Sequence, residues 1–170
     1  MTDIRKKVVL SGYCFAVSFI CTALMVAVFL IALNRAHEQL WAVYTLGGII
    51  LLMALSALYY MPGSLSFDGR TLDIHRSLRI KQIPLAEIAD VRLCQPTMAA
   101  KRLCGSGGWF GWYGWFSEPD LGRYFAYYGR ASDCFLVTLR SGRKYMLGCK
   151  DAPAMVAALR SALAKQRPAV

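Results

Sequence analysis

Acidic residues are scarce in this chain. Ten Asp and Glu stand against 20 Lys and Arg over 170 residues, a formal net charge of +10. Charge of either sign is sparse at 18 %, while hydrophobic residues reach 56 %. That balance excludes a disordered chain, which needs low hydrophobicity. The positive excess implies an anionic neighbour, a membrane surface or a nucleic acid. Histidine is almost missing: His37 and His75 are the only two, and neither has Cys, Asp or Glu at zinc-ligand spacing. The six cysteines, at 14, 21, 94, 104, 134 and 149, form no C-x-x-C pair. They read as free thiols, with those of the tail in a reducing compartment. There is no phosphate-binding loop with its lysine, no nucleophile elbow and no dinucleotide fingerprint. The sequence therefore predicts no enzyme, no metal and no cofactor.

What the chain has is two long runs without charge. Val8–Leu33 is 26 residues and Leu40–Met61 is 22. Roughly 20 apolar residues cross the hydrocarbon core, so both runs are long enough. The first is too long for the apolar region of a signal peptide, about 7–15 residues. The short connection 34–39 predicts an antiparallel transmembrane hairpin over 8–61. Trp41 and Tyr44 at one end of the second run, and Tyr59 and Tyr60 at the other, fit aromatic belts at two interfaces. Arg5, Lys6 and Lys7 form a basic flank over residues 1–7. The tail after Met61 holds 16 basic against 8 acidic residues, and the connection holds only Arg35. Orientation by positive charge makes both termini cytoplasmic. The bilayer is the first expected partner. Nucleic acid is not expected, because the arginines are scattered and the inner leaflet already explains the charge.

Ser11, Cys14, Ser18 and Cys21 recur at spacings of 3, 4 and 3, a narrow small-residue face of the kind that lets helices approach closely. The expected contact is the second helix, with Gly47-Gly48 as the matching groove. A homo-oligomer contact is the alternative.

After Pro62-Gly63 the pattern alternates. Leu65 and Phe67 lead to the turn signal Asp68-Gly69, and Leu72 and Ile74 return. Further strands are expected at Leu78–Lys81 (ended by Pro84), Val91–Leu93, Tyr124–Tyr128, Phe135–Leu139 and Lys144–Leu147. Asp151 then reads as an N-cap before a helix with Val156, Leu159 and Leu163 on one face. Seven strands and a helix predict a rolled sheet or partly open barrel closed by that helix.

Between strands lies the repeat Gly-Trp-Phe, Gly-Trp-Tyr, Gly-Trp-Phe over 108–116. Ten of the twenty residues from Trp109 to Tyr128 are aromatic. A conformation repeating every three residues would place Trp109, Trp112 and Trp115 on one side, whereas a regular strand would alternate them. One reading puts the rings in the domain's own core. The other makes them an exposed stripe for a membrane surface or partner, supported by Lys101 and Arg102.

The segment Ile83-Pro84-Leu85-Ala86-Glu87-Ile88-Ala89-Asp90-Val91, the stretch Gly105 to Phe116, Leu121-Gly122-Arg123-Tyr124 and the closing helix together carry a resemblance. Residues 64–165 resemble the bacterial pleckstrin-homology (PH) domains, in a membrane-anchored branch with a Gly-Trp-rich loop. The resemblance implies a binding or scaffold module, often self-associating, after a membrane hairpin, with residues 166–170 as a tail. Phosphoinositide-binding PH domains carry several basic residues between their first two strands. Here that loop is only Asp68-Gly69-Arg70, so no phosphate cradle is expected there. The function expected is therefore protein interaction or self-assembly at the cytoplasmic face. The alternatives are a sensor of anionic headgroups and an accessory subunit of a membrane transporter or complex. The runs carry no charged residue, hence no ion path of their own.

Overall fold

The computed structural model describes residues 4–34 and 40–166; the connection expected at 34–39 and the tail at 166–170 lie largely outside the described residues. Helices α1 (Gly12–Asn34) and α2 (Leu40–Tyr60) are long and apolar enough to cross a membrane. They are apolar all round, so no single face segregates toward a core. Only Cys14 and Ser18 of α1 and Val43 and Ala57 of α2 are buried.

The basic flank does more than supply charge. Ile4–Lys7 is a strand, β1, and it pairs antiparallel with β2 (Pro62–Phe67), Ile4 opposite Phe67 and Lys7 opposite Ser64. The segments before α1 and after α2 thus meet in one sheet. That sheet continues through β3 (Thr71–Arg76) to β4 (Ile80–Pro84). Pro84 ends β4 opposite Thr71 on the edge of the sheet, where its missing N–H costs no ladder bond. The second sheet has six strands: β5 (Ile88–Leu93), β6 (Lys101–Gly108), β7 (Gly111–Glu118), β8 (Gly122–Tyr128), β9 (Cys134–Leu139) and β10 (Lys144–Gly148). Their order is β5-β9-β10-β8-β7-β6. Neighbours are antiparallel except β8 and β10.

The core lies between the sheets. Leu65, Leu72 and Ile74 meet Tyr127, Phe135 and Leu147, and α3 (Ala152–Gln166) closes it with Met155, Val156 and Leu159. The helix begins beyond Asp151. That residue takes a positive φ of 61°, and its carboxylate receives Lys6 Nζ at 2.9 Å from β1. Hydrogen bonding from Lys6 holds the Asp151 carboxyl below the ordinary carboxylate value.

The six-stranded sheet is apolar on its outer face too, with Phe116, Tyr124, Tyr128, Leu136 and Met146. Strands β5 and β6 are opposite edges, so the link between them must cross a face of the sheet. Cys94 packs on the outer cluster, and Thr97 donates from N and Oγ1 to Glu118 Oε2 at 3.3 and 2.9 Å. The Tyr124 hydroxyl donates to the other oxygen. Three donors thereby satisfy a buried carboxylate.

The expected seven strands correspond to β2, β3, β4, β5, β8, β9 and β10. Among the described residues there are ten strands. The added β1 reads as a charged flank because its apolar content is one isoleucine. The added β6 and β7 are rich in glycine, which strand patterns ordinarily lack. Their pairing needs that glycine. Gly105 faces Gly114 at φ of 126° and 120°, and a Cβ on Gly105 would fall 2.7 Å from Gly114 Cα.

Candidate functional site: the docked β6–β7 hairpin

The turn Trp109-Phe110 at the tip of β6–β7 is tied to the first half of α1. Phe110 N donates to Ser18 Oγ at 2.7 Å, and Ser18 Oγ donates to Cys14 O at 2.6 Å. Trp109 Nε1 donates to Thr22 Oγ1 at 3.3 Å, and Ser106 Oγ donates to Trp109 O at 2.8 Å. Beside the turn, Gly129 O accepts from Ser11 N at 3.0 Å and from Cys14 Sγ at 3.4 Å. Gly129 must be glycine, since a Cβ there would strike the Val9 carbonyl and fall 3.0 Å from Leu10 Cα.

These contacts correct the expected role of the small face. Ser11, Cys14 and Ser18 pack against the β domain rather than α2, because Gly108 and Gly129 bring backbone close enough to meet short side chains. Cys21, the fourth member, lines a cleft described below. The expected groove at Gly47 is taken by the Phe29 ring, 3.3 Å from a Cβ built there.

The three tryptophans do not form one stripe. Strand alternation separates them, as period two requires. Trp112 stacks on Tyr128 with centroids 5.8 Å apart and packs near Phe116 on the outer face. Trp115 meets the edge of Phe125 at 5.2 Å on the opposite face and stays 42 % exposed. Trp109 sits at the turn against Phe110. Trp112 packs against the outer cluster and Trp109 against the core between the sheets, and Trp109 and Trp115 both line an open cleft. Lys101 and Arg102 begin β6, exposed, opposite Ser117 and Phe116. Arg102 reaches back along its strand, with Nη1 2.9 Å from a Cβ built on Gly107.

The cleft, about 610 Å³, lies between the helices and the hairpin. Its helical wall is Cys21 and Met25 of α1 with Met53 and Tyr60 of α2; its sheet wall includes Trp109, Tyr113 and Trp115. Tyr60 stacks on Tyr113 at 6.1 Å. Methionine and aromatic walls make an adaptable apolar recess. Arg102 on the rim is its one charged residue.

The domain's buried titratable groups are quiescent. Burial pushes the Cys149 thiol up to about 12 and raises Cys134 further still, so both stay protonated at neutral pH. Burial likewise raises the Tyr127 hydroxyl to about 12. Among the described residues no three His, Cys, Asp or Glu gather where a metal would bind.

Sequence reasoning missed Thr22, Ser106 and Gly129. The available signal was polar residues inside or beside apolar runs, but their partners lie 87 and 115 positions away for the Thr22 and Gly129 contacts. A family model described as "Bacterial PH domain" matches residues 63–163, more than half of the chain. Comparison with curated proteins and with solved structures gives no match. Two apolar helices followed by a β-rich domain with a closing helix agree with that match, and the chain belongs to the bacterial PH domain family.

Proposed function

We propose that the chain is a membrane-anchored binding and scaffold module without enzymatic activity, with α1 and α2 spanning the bacterial cytoplasmic membrane and both termini in the cytoplasm. The β domain is then fixed against the inner leaflet. Its cleft takes an apolar segment of another membrane protein. The observation that carries this reading is the Trp109-Phe110 turn. Its backbone meets Ser18, six residues into α1 and about 9 Å along the helix at the standard rise, and the Trp109 ring reaches on to Thr22. Non-helical backbone at that depth in a bilayer needs protein partners for its polar groups. Ser18 and Ser106 supply them. The recess beside the turn consequently opens among apolar helical surfaces, where a partner helix or loop can reach it. The basic excess of the tail and flank supports the orientation.

A photo-crosslinking residue at Trp115 tests the reading in intact membranes. A discrete protein adduct is expected, reduced by bulky replacement of Met53 on the facing wall. Adducts of lipid alone would overturn protein interaction in favour of a lipid-binding module.

A further inference from the structure

Strand β2 starts at Pro62, directly after Met61 ends the helical hydrogen bonding of α2 through its N–H to Ala57 O at 2.8 Å. Strand β3 returns antiparallel, and Arg76 pairs with Pro62. The chain then overshoots. Ser77, Leu78 and Arg79 run past Pro62 beside the last turn of α2 before β4 begins at Ile80. Two contacts fix that level. Arg79 Nη1 donates to the Tyr59 hydroxyl at 3.3 Å, and Arg76 Cζ lies 5.0 Å from the Tyr59 ring centroid.

Leu78 and Ile80 are 63 % and 50 % exposed at this turn. Neither Arg76 nor Arg79 belongs to an ion pair among the described residues, and Arg76 Nε is buried with no hydrogen-bond partner there. Arg76 is also held from within, its Nη1 donating to the Tyr127 hydroxyl at 3.4 Å and its guanidinium lying over the Tyr60 and Tyr127 rings, whereas Arg79 is exposed. An apolar tip flanked by guanidinium groups without an acidic partner, beside two tyrosines at a helix end, has the chemistry of the headgroup layer. Leucine gains from acyl chains, guanidinium groups take phosphate oxygens, and tyrosine bridges the two zones. The β2–β3 turn has the opposite character. It lies at the far end of β2, and Asp68 satisfies it internally through Arg70 N and Thr71 N at 2.7 and 2.6 Å.

We propose that the β3–β4 turn is an anionic-phospholipid site. Leu78 enters the boundary between headgroups and acyl chains, Arg79 and Arg76 hold the lipid phosphate, and Tyr59 orients Arg79. The site rests on the reading of α2 as a membrane span, because that reading puts Tyr59 at the bilayer surface.

The test uses the full chain in nanodiscs of equal phosphatidylglycerol and phosphatidylcholine, with p-benzoylphenylalanine at Leu78, at Arg70 or at Leu51, and adducts weighed by mass spectrometry. Leu51 reports on α2 alone. Lipid adducts are expected at Leu78 and Leu51 and none at Arg70. Those at Leu78 should be enriched in phosphatidylglycerol, and Arg79→Gln should lower the enrichment about fivefold, the worth of one basic residue at an anionic surface. Lipid at Leu51 without lipid at Leu78 would overturn the site while leaving the span intact. Protein adducts at Leu78, or enrichment that Arg79→Gln leaves unchanged, would also overturn it. No lipid at Leu51 would overturn the membrane reading and the site together.

Discussion

Two hairpin turns of the domain solve one problem in opposite ways. Asp68-Gly69 is self-sufficient. Its carboxylate takes the N–H groups of Arg70 and Thr71, and a Cβ on Gly69 would meet nothing within 4 Å. Trp109-Phe110 takes one hydrogen bond from Ser106 of its own hairpin but two from α1, across 92 residues for Phe110 to Ser18 and 87 for Trp109 to Thr22. One turn is complete as soon as its own residues meet. The other is complete only when helix and sheet have docked. The difference separates a local feature from a coupling device: the second turn joins the apolar helices and the β domain into one unit.

Four experiments break or sharpen that contrast, each read as thermal or chemical unfolding of the full chain in detergent, followed by near-ultraviolet circular dichroism of the tryptophans. Leu159→Ala, in the buried core shared by the sheets and α3, is expected to cost about 2–5 kcal/mol; a small effect would mean α3 does not close the core. Arg160→Ala should cost only about 1 kcal/mol, for the bond from its Nε to Val91 O. In the coupled hairpin, Gly105→Ala combines overpacking with a positive φ and is expected to cost about 2–5 kcal/mol. Gly69→Ala, also at positive φ but in open space, should cost about 1–2 kcal/mol. Equal losses would erase the distinction between the hairpins.

Ser18→Ala leaves the Phe110 N–H without its acceptor and should cost about 1–3 kcal/mol. It should also loosen the Trp109 environment, seen as a red-shifted emission. Ser18→Leu should undock the turn altogether; melting and emission unchanged by Ser18→Leu would show that the turn does not depend on α1.

The smallest effect is a pH dependence confined to the self-sufficient turn. Backbone hydrogen bonds from Thr71 and Arg70 lower the Asp68 pKa below its ordinary 3.8. The folded value lies below the unfolded one, so the turn's contribution is fully present above about pH 4 and is lost as pH falls through the folded value. Asp68→Asn should therefore differ from the parent at pH 6, and the difference should shrink as pH falls below about 4. A difference that stays constant through that fall would mean that charge is not what Asp68 contributes.

The contrast also accounts for what could be read in the sequence. Alternation exposed β2 and β3 because their apolar side chains Leu65, Phe67, Leu72 and Ile74 all face the core. The Asp68-Gly69 turn was legible because its donors and acceptor lie within four residues. The β6–β7 hairpin was hidden because its glycines argue against a strand in isolation and serve pairing only once Gly105 faces Gly114. The spacing of Ser11, Cys14 and Ser18 marked a packing face correctly, yet the residues that fill it, Gly108, Phe110 and Gly129, carry no signal pointing back to α1. Trp112 and Trp115 were separable in principle by period two, but that requires first knowing that 111–118 is a strand.

By itself, then, the sequence determined the two apolar helices, most strands of the β domain, the closing helix and the bacterial PH character of residues 63–163. These follow from composition, periodicity and turn chemistry acting over a few residues. Tertiary structure decided that β1 joins the sheet after α2, that the Gly-Trp repeat is a hairpin anchored to α1, and that the β3–β4 turn lies beside Tyr59. Each depends on contacts between segments far apart in the chain, whose energy exists only after the ends have been brought together.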